Sequence, residues 1–230
     1  MAKYKGEISK ASIDRKFKEG RGQGEGYNYL PWLTIQDVPS KGRSHVVKGW
    51  KSGGRDHHLL SDGELYCFYA FEWFRRIKDI REQFPLHMEA TLAIAEGMGI
   101  SHPVHPTSKH PIVMTTDFLL TIEQGGQTIY HALTFKYVSD LNVLRTRTVE
   151  KLEIERIYWE TKNIYWAIVT ERQLPMTLVR NVSIIHESRQ LDGYGLTEDE
   201  ISDISTWLTL KVKQQNKALR HLTRECDRSL

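Results

Sequence analysis

The chain has 230 residues, 40% hydrophobic and 27% charged, which suits one domain with an appendage or two small domains around a real core. No apolar run approaches the roughly 18 residues of a membrane span, and the opening MAKYKGEISK lacks the apolar stretch of a signal peptide. A cytoplasmic protein with no membrane partner is expected. Cys67 and Cys226 stand far apart without Cys-x-x-Cys spacing, which argues against a disulfide framework or a thiolate zinc site. The net charge of +3 is mild but uneven. Lys3, Lys5, Lys10, Arg15, Lys16, Lys18 and Arg21 crowd the start against Glu7, Asp14 and Glu19. Lys211, Lys213, Lys217, Arg220, Arg224 and Arg228 crowd the end. Basic ends on a near-neutral body fit phosphate contact, and they also serve solubility.

In chain order, residues 9–18 read as a short basic helix stopped by the glycines of 20–26. That Gly-x-Gly spacing is no dinucleotide fingerprint, because no strand precedes it and no long helix follows. Residues 27–35 (YNYLPWLTI) are aromatic and apolar and should pack on the body. Residues 41–54, starting at Lys41, are basic and Gly-rich, with a candidate strand at 44–49. After His57-His58-Leu59-Leu60, Ser61 or Asp62 can cap an almost entirely apolar helix to about Phe74, expected to be buried. Glu64, in its first turn, shares a face with Phe68 and Phe71. A carboxylate there needs a partner, which a metal would supply, although the helix dipole alone also favours an N-terminal Glu.

Residues 77–84 read as an extended segment closed by Pro85, and 88–98 as a helix stopped at Gly97 or Gly99. His102, His105 and His110 follow in a Pro-rich loop without helical register, so they are read as loop histidines rather than a metal tract. Residues 115–136 form a β-hairpin around Gln124-Gly125-Gly126-Gln127. Strand parity puts Asp117, Leu119 and Thr121 on one face. It puts Thr128, Tyr130, Ala132, Thr134 and Lys136 on another, opposite Ile129, Leu133 and Phe135. Asp117 then lies close to Lys136, a pairing that suits metal-assisted phosphodiester hydrolysis, although an Asp and Lys at the two ends of a hairpin are more often a solvated ion pair.

Residues 148–161 read as an amphipathic helix burying Leu152, Tyr158 and Trp159, with Glu153 or Glu155 facing elsewhere. Residues 164–170 suit an inner strand. Hairpin strands mixed with helices argue for an α/β or α+β core with a mixed sheet. The texture changes after Pro175. A modest apolar segment runs over 177–187, ending at Glu187. A capping box at Thr197-Glu198-Asp199-Glu200 then opens a helix reaching at least Leu208. The expected division is 1–171, with a basic N-terminal arm, and a small helical domain at 172–230 for partner and DNA contact.

Several stretches together resemble one family. They are 19–24 (EGRGQG), 29–34 (YLPWLT), 42–45 (GRSH), 57–62 (HHLLSD), 79–86 (DIREQFPL), 102–104 (HPV), 116–119 (TDFL), and 150–153 (EKLE) with Tyr158-Trp159. In this order, over residues 19–160, the chain resembles TnsA, the endonuclease subunit of Tn-seven-like transposons. The family's core is a restriction-endonuclease-like PD-(D/E)xK fold. The resemblance implies an α/β mixed sheet flanked by helices and a catalytic set of Glu64, Asp117 and Lys136. Where the family has a carboxylate or glutamine, this chain has Thr134, a poorer metal ligand. The implied metal set is Glu64, Asp117 and Thr134, with Glu155 as an accessory acid or a surface salt bridge. Tyr130 and the Phe135 carbonyl are other candidate helpers outside the implied set. DNA contact falls to the basic arm and loop, here Lys16, Lys18, Arg21 and Arg43.

By resemblance, Glu64 and Asp117 would hold one or two Mg²⁺ ions, with Mn²⁺ able to substitute, and Lys136 would position water. Cutting near the 5′ ends of a transposon would leave 5′-phosphate and 3′-hydroxyl ends. The implied partners are double-stranded transposon-end DNA, a DDE transposase (TnsB-like) that cuts the 3′ ends, and an AAA+ regulator (TnsC-like) contacting the C-terminal region. Two alternatives remain: a catalytically weak DNA-bound bridging subunit, and a stand-alone nuclease of the same fold.

Overall fold

Ser9 and Ser12 cap each other's backbone amides, and this reciprocal pair starts α1 (Lys10–Lys18). The computed structural model describes residues 8–37, 42–143, 145–186, 188, 195–217 and 219–226. Lys3, Lys5, Glu7, Lys41, Glu187 and Arg228, named above, lie outside them. Past α1, the glycine-rich loop and the aromatic 27–35 segment fold onto the body. Tyr29, Trp32 and Leu33 are buried, and Tyr29 Oη donates to the Glu82 carbonyl at 3.0 Å. β1 (His45–Lys48) and β2 (Asp56–Leu59) form a small antiparallel sheet.

The principal sheet follows α2 (Asp62–Trp73). It comprises β3 (Ile77–Pro85), then, past α3 (Met88–Gly97), β4 (Thr115–Gln124) and β5 (Gln127–Phe135). Gly125 and Gly126 both take positive φ, 60° and 77°, as a two-residue type I′ turn demands. The β4–β5 ladder runs from Gln124↔Gln127 to Phe118↔Leu133. After α4 (Val138–Leu141) and α5 (Thr146–Glu160), β6 (Tyr165–Val169) pairs parallel with β5. The order is β3-β4-β5-β6, the mixed sheet expected. A parallel pair needs a crossover, and the segment carrying α5 supplies it. β6 is an edge strand rather than the inner one its apolar run suggested. Its side chains are half-buried apart from exposed Tyr165.

Each sheet face has its own core. Leu59, Cys67, Phe68, Phe71, Ile77, Ile80, Phe118, Leu120 and Phe135 pack on the α2 side. Leu86, Leu119, Ala132, Tyr158 and Trp159 pack on the side of α3 and α5. At about 25 cal/mol per Å² of apolar surface, burial on both faces is the main force fixing helices to sheet.

The chain divides into compact units Met1–Ser183 and Ile184–Leu230, whereas the expected division lies at 171/172. The break falls inside α6 (Met176–Ile185), a helix over the segment read as modestly apolar. The second unit contains α7 (Glu198–Gln214), opened by the expected Thr197–Glu200 capping box, and α8 (Leu219–Cys226). Leu222 and Cys226 are buried there.

Candidate active site

Glu64 owes its place to a cap. Ser61 Oγ accepts from the Glu64 amide at 3.2 Å and starts α2. Glu64 Oε1 then accepts from Ser61 Oγ at 2.9 Å, and Oε2 from the Leu60 amide at 2.9 Å. The side chain is buried, with Phe68 and Phe71 on the same helix face, as the spacing required. Gly63 brings this end of α2 against the sheet. A Cβ on it would lie 1.9 Å from the Phe135 ring, so only glycine permits the approach. Burial, then the negative charge of Asp117, pushes the Glu64 carboxyl up to about 8, against the pull of its hydrogen bonds and of Lys136.

Asp117 sits where β4 leaves its regular alternation. Thr116 bonds to Glu155 and Trp159 on the α5 side, yet Phe118, two residues on, packs on the α2 side. Asp117 lies at the crossover between them. Its charge is felt by Glu64 and Cys67 of α2 and by Glu155 of α5. This corrects the parity reading that grouped Asp117 with Leu119 and Thr121 as one continuous face. Asp117 Oδ2 accepts from the Phe135 amide at 2.8 Å and stands 3.8 Å from Lys136 Nζ. Lys136 Nζ donates to the Phe135 carbonyl at 2.7 Å. The structure thus brings together Glu64, Asp117, Lys136 and the Phe135 carbonyl. Tyr130 lies elsewhere, under the Arg81 guanidinium at 5.5 Å.

Glu155 is buried, not a surface salt-bridge residue. Its Oε1 accepts from Thr134 Oγ1 at 2.5 Å, Thr116 Oγ1 at 2.8 Å and Trp166 Nε1 at 3.1 Å. Burial and the charge of Asp117 raise it to about 7, against those three donors. Helix periodicity could not reveal this, because the donors come from β4, β5 and β6. Glu153 does face outward and pairs with Arg156 at 2.7 Å.

Two residues escaped the sequence reading although both lie in the quoted 79–86 stretch. Gln83 Nε2 donates to Glu64 Oε2 at 3.2 Å. Glu82 is fully buried and accepts a two-pronged pair from Arg55, at 2.8 and 2.9 Å. His57 Nδ1 donates to it at 2.8 Å and the His58 amide at 3.1 Å. His57 thereby ties the 57–62 stretch, and so the start of α2, to β3. A Glu between Ile80 and Phe84 at strand parity was the available signal, since a charged group among apolar neighbours must have partners.

The loop histidines hold the fold. His102 bonds to Thr91 and the Pro103 carbonyl, and His105 to Ser108. Among the described residues no three His, Cys, Asp or Glu side chains are grouped to hold a metal, and no helix is long and apolar enough to cross a membrane.

The basic residues divide. Lys16 Nζ is 2.8 Å from Asp37 Oδ1, and Arg21 Nη1 is 2.8 Å from Asp37 Oδ2. Both are partly buried, and their charge is compensated within the protein. Lys18 is exposed. Arg43 is exposed too, with a 3.1 Å contact to Asp62.

A family model described as TnsA-like endonuclease N terminal matches residues 75–171, and one described as TnsA endonuclease C terminal matches residues 173–230. Transposon Tn7 transposition protein TnsA of Escherichia coli is 45% identical over 186 residues, which are 81% of this chain and 66% of that protein. The match thus spans just under two thirds of the relative's length. Asp117, Thr134, Lys136, Glu155 and Gln83 fall within the N-terminal model, whereas Glu64 precedes it. With both models placed in order and this degree of identity, the chain belongs to the TnsA endonuclease family.

Proposed function

We propose that this chain is the DNA endonuclease subunit of a heteromeric transposase. On this reading it hydrolyses one phosphodiester near each 5′ end of a transposon and leaves 5′-phosphate and 3′-hydroxyl ends. The observation that carries the reading is the convergence of Glu64, Asp117 and Lys136, contributed by α2, β4 and the end of β5. Burial raises the Glu64 carboxyl to about 8, and the charge of Asp117 adds to that rise. A divalent cation between the two carboxylates would remove their repulsion.

The donor set fits Mg²⁺, which takes one or two carboxylates and keeps its remaining positions for water and substrate phosphate. When bound, Mg²⁺ supplies Lewis acidity, acidifying water and offsetting phosphoryl charge. Glu64 and Asp117 would hold it, and the Phe135 amide fixes the Asp117 rotamer. Lys136, half-buried and anchored on the Phe135 carbonyl, orients the attacking water and stabilises charge developing on the phosphate. The Thr134 hydroxyl proton is committed to Glu155. Thr134 offers a cation only a neutral hydroxyl oxygen, a weaker ligand than a carboxylate, and it links Glu155 to the site.

A relative named as a transposon transposition protein supports a role in transposition. On the proposed reading the substrate is transposon-end DNA, a DDE transposase cuts the 3′ strands and an AAA+ regulator docks on the C-terminal region. Lys18 and Arg43 would give salt-sensitive phosphate contacts. The rival reading, a bridging subunit with little activity, draws on the committed Thr134 hydroxyl.

Strand-specific cleavage of transposon-end DNA with Mg²⁺ and the partner transposase separates the two. The proposal expects 5′-strand cuts with wild type and none with Asp117→Ala. Absence of 5′ cuts while the transposase cuts its own strand favours the bridging subunit.

A further inference from the structure

Gln83 lies within the nine residues of β3, yet its φ is +48°. Left-handed backbone is rare for a non-glycine residue, above all inside a strand. It persists only where the surroundings enforce it, and it clusters at functional sites. The consequence is geometric. Glu82 bonds to Arg55 and His57 on the α2 side, whereas Phe84, two residues on, packs on Trp159 on the α5 side. β3 therefore crosses over at Gln83 as β4 does at Asp117, and the flanking pairs Glu82↔Phe118 and Phe84↔Thr116 place the two crossovers side by side.

The Gln83 side chain is buried and bonded at both ends. Its Nε2 donates to Glu64 Oε2 at 3.2 Å, and its Oε1 accepts from Thr115 Oγ1 at 3.2 Å. Its carbonyl accepts from the Trp32 amide at 3.2 Å. An ionised carboxylate only accepts, so Glu64 calls for the Nε2 end of the amide, and the Thr115 hydroxyl bonds the other end. A glutamine serving only as filler would not require left-handed backbone, since normal strand geometry would send its side chain to the other face.

We propose that Gln83 is a positioning residue. Its left-handed backbone turns the amide onto Glu64 and holds that carboxylate in the orientation in which it and Asp117 bind a divalent cation. The proposal rests on the metal-site reading above. It goes beyond that reading in assigning the orientation of Glu64 to a residue that touches neither cation nor DNA.

The test uses the full chain with Mn²⁺ as probe, and it measures the half-saturating Mn²⁺ concentration by titration calorimetry and the metal-free Tm of each protein. Gln83→Gly adopts φ +48° without backbone strain; its metal-free Tm reports the lost packing and hydrogen bonds separately, while the half-saturating Mn²⁺ concentration should rise about tenfold or more. Gln83→Asn also tolerates left-handed backbone but is one methylene short of Glu64, and it should show the same rise. Should the glycine variant not fold, the asparagine variant decides. If both bind Mn²⁺ as tightly as wild type while Glu64→Gln and Asp117→Asn have lost binding, the Gln83 proposal is overturned and the metal site stands. If Glu64→Gln and Asp117→Asn bind like wild type, or wild type binds no Mn²⁺, the metal-site reading fails and takes the proposal with it.

Discussion

Thr134 Oγ1 donates to Glu155 Oε1 at 2.5 Å, and both groups are buried. The position expected to serve the cation thus serves first to satisfy a second buried carboxyl. Thr134→Val keeps the side chain's shape and removes this donor. It should cost about 1–3 kcal/mol, the usual penalty for leaving a buried polar group short of a partner, and Thr134→Ser should restore most of it. Urea denaturation of the three proteins measures the difference.

Burial raises both Glu64 and Glu155 and the charge of Asp117 adds to it, so the metal-free site holds repulsion that Lys136 only partly offsets. Asp117→Asn keeps an oxygen for the Phe135 amide and removes that charge. Its metal-free Tm should equal or exceed that of wild type, while DNA cutting disappears. A Tm several degrees lower would show that Asp117 serves the fold before the chemistry.

Lys136→Ala should lower the 5′ cleavage rate by about 10²–10³ with little change in Tm, because the ammonium is partly exposed and its ion pair with Asp117 spans 3.8 Å. Single-turnover cleavage at saturating DNA separates this loss from weaker binding.

The Arg55–Glu82–His57 cluster sets the acid limit. Burial favours protonation of Glu82, but the charge and hydrogen bonds of His57 and Arg55 outweigh it and depress its pKa. Asp37 is depressed likewise by Lys16 and Thr34, against its own burial. A depressed carboxyl gives stability present above its unfolded value, about 4, and lost as pH falls towards the folded one. Urea midpoints should therefore fall steeply from about pH 5 to pH 3. Glu82→Gln leaves Arg55 buried without its ion partner, and should cost about 3–5 kcal/mol at pH 7 and flatten that acid slope.

Gly63→Ala drives a methyl into the Phe135 ring. The expected loss is about 1–3 kcal/mol, together with slower cleavage as the end of α2 carrying Glu64 moves off the sheet. Phe135→Leu in the same chain should recover part of both, read by denaturation and by cutting rate.

Local chemistry in the sequence determined much of this protein. Gly125-Gly126 sets the hairpin turn, Ser61 caps α2, and the Thr197–Glu200 box opens α7, because turns and caps depend on neighbouring residues alone. The i, i+4, i+7 spacing put Glu64 on the buried face with Phe68 and Phe71, and the short link between β4 and β5 put Lys136 near Asp117.

Tertiary structure decided the rest. Periodicity left open whether Glu153 or Glu155 faced away from the buried side, since the donors to Glu155, Thr116, Thr134 and Trp166, come from strands distant in sequence. Lys16 and Arg21, expected to contact DNA, both pair with Asp37. Alternation made β3 and β4 unbroken strands, whereas both cross over at Gln83 and Asp117. The reason is physical. Parity holds only while backbone dihedrals repeat, and a residue held left-handed by Glu64, Thr115 and Trp32 ends that repetition through contacts that no local pattern records.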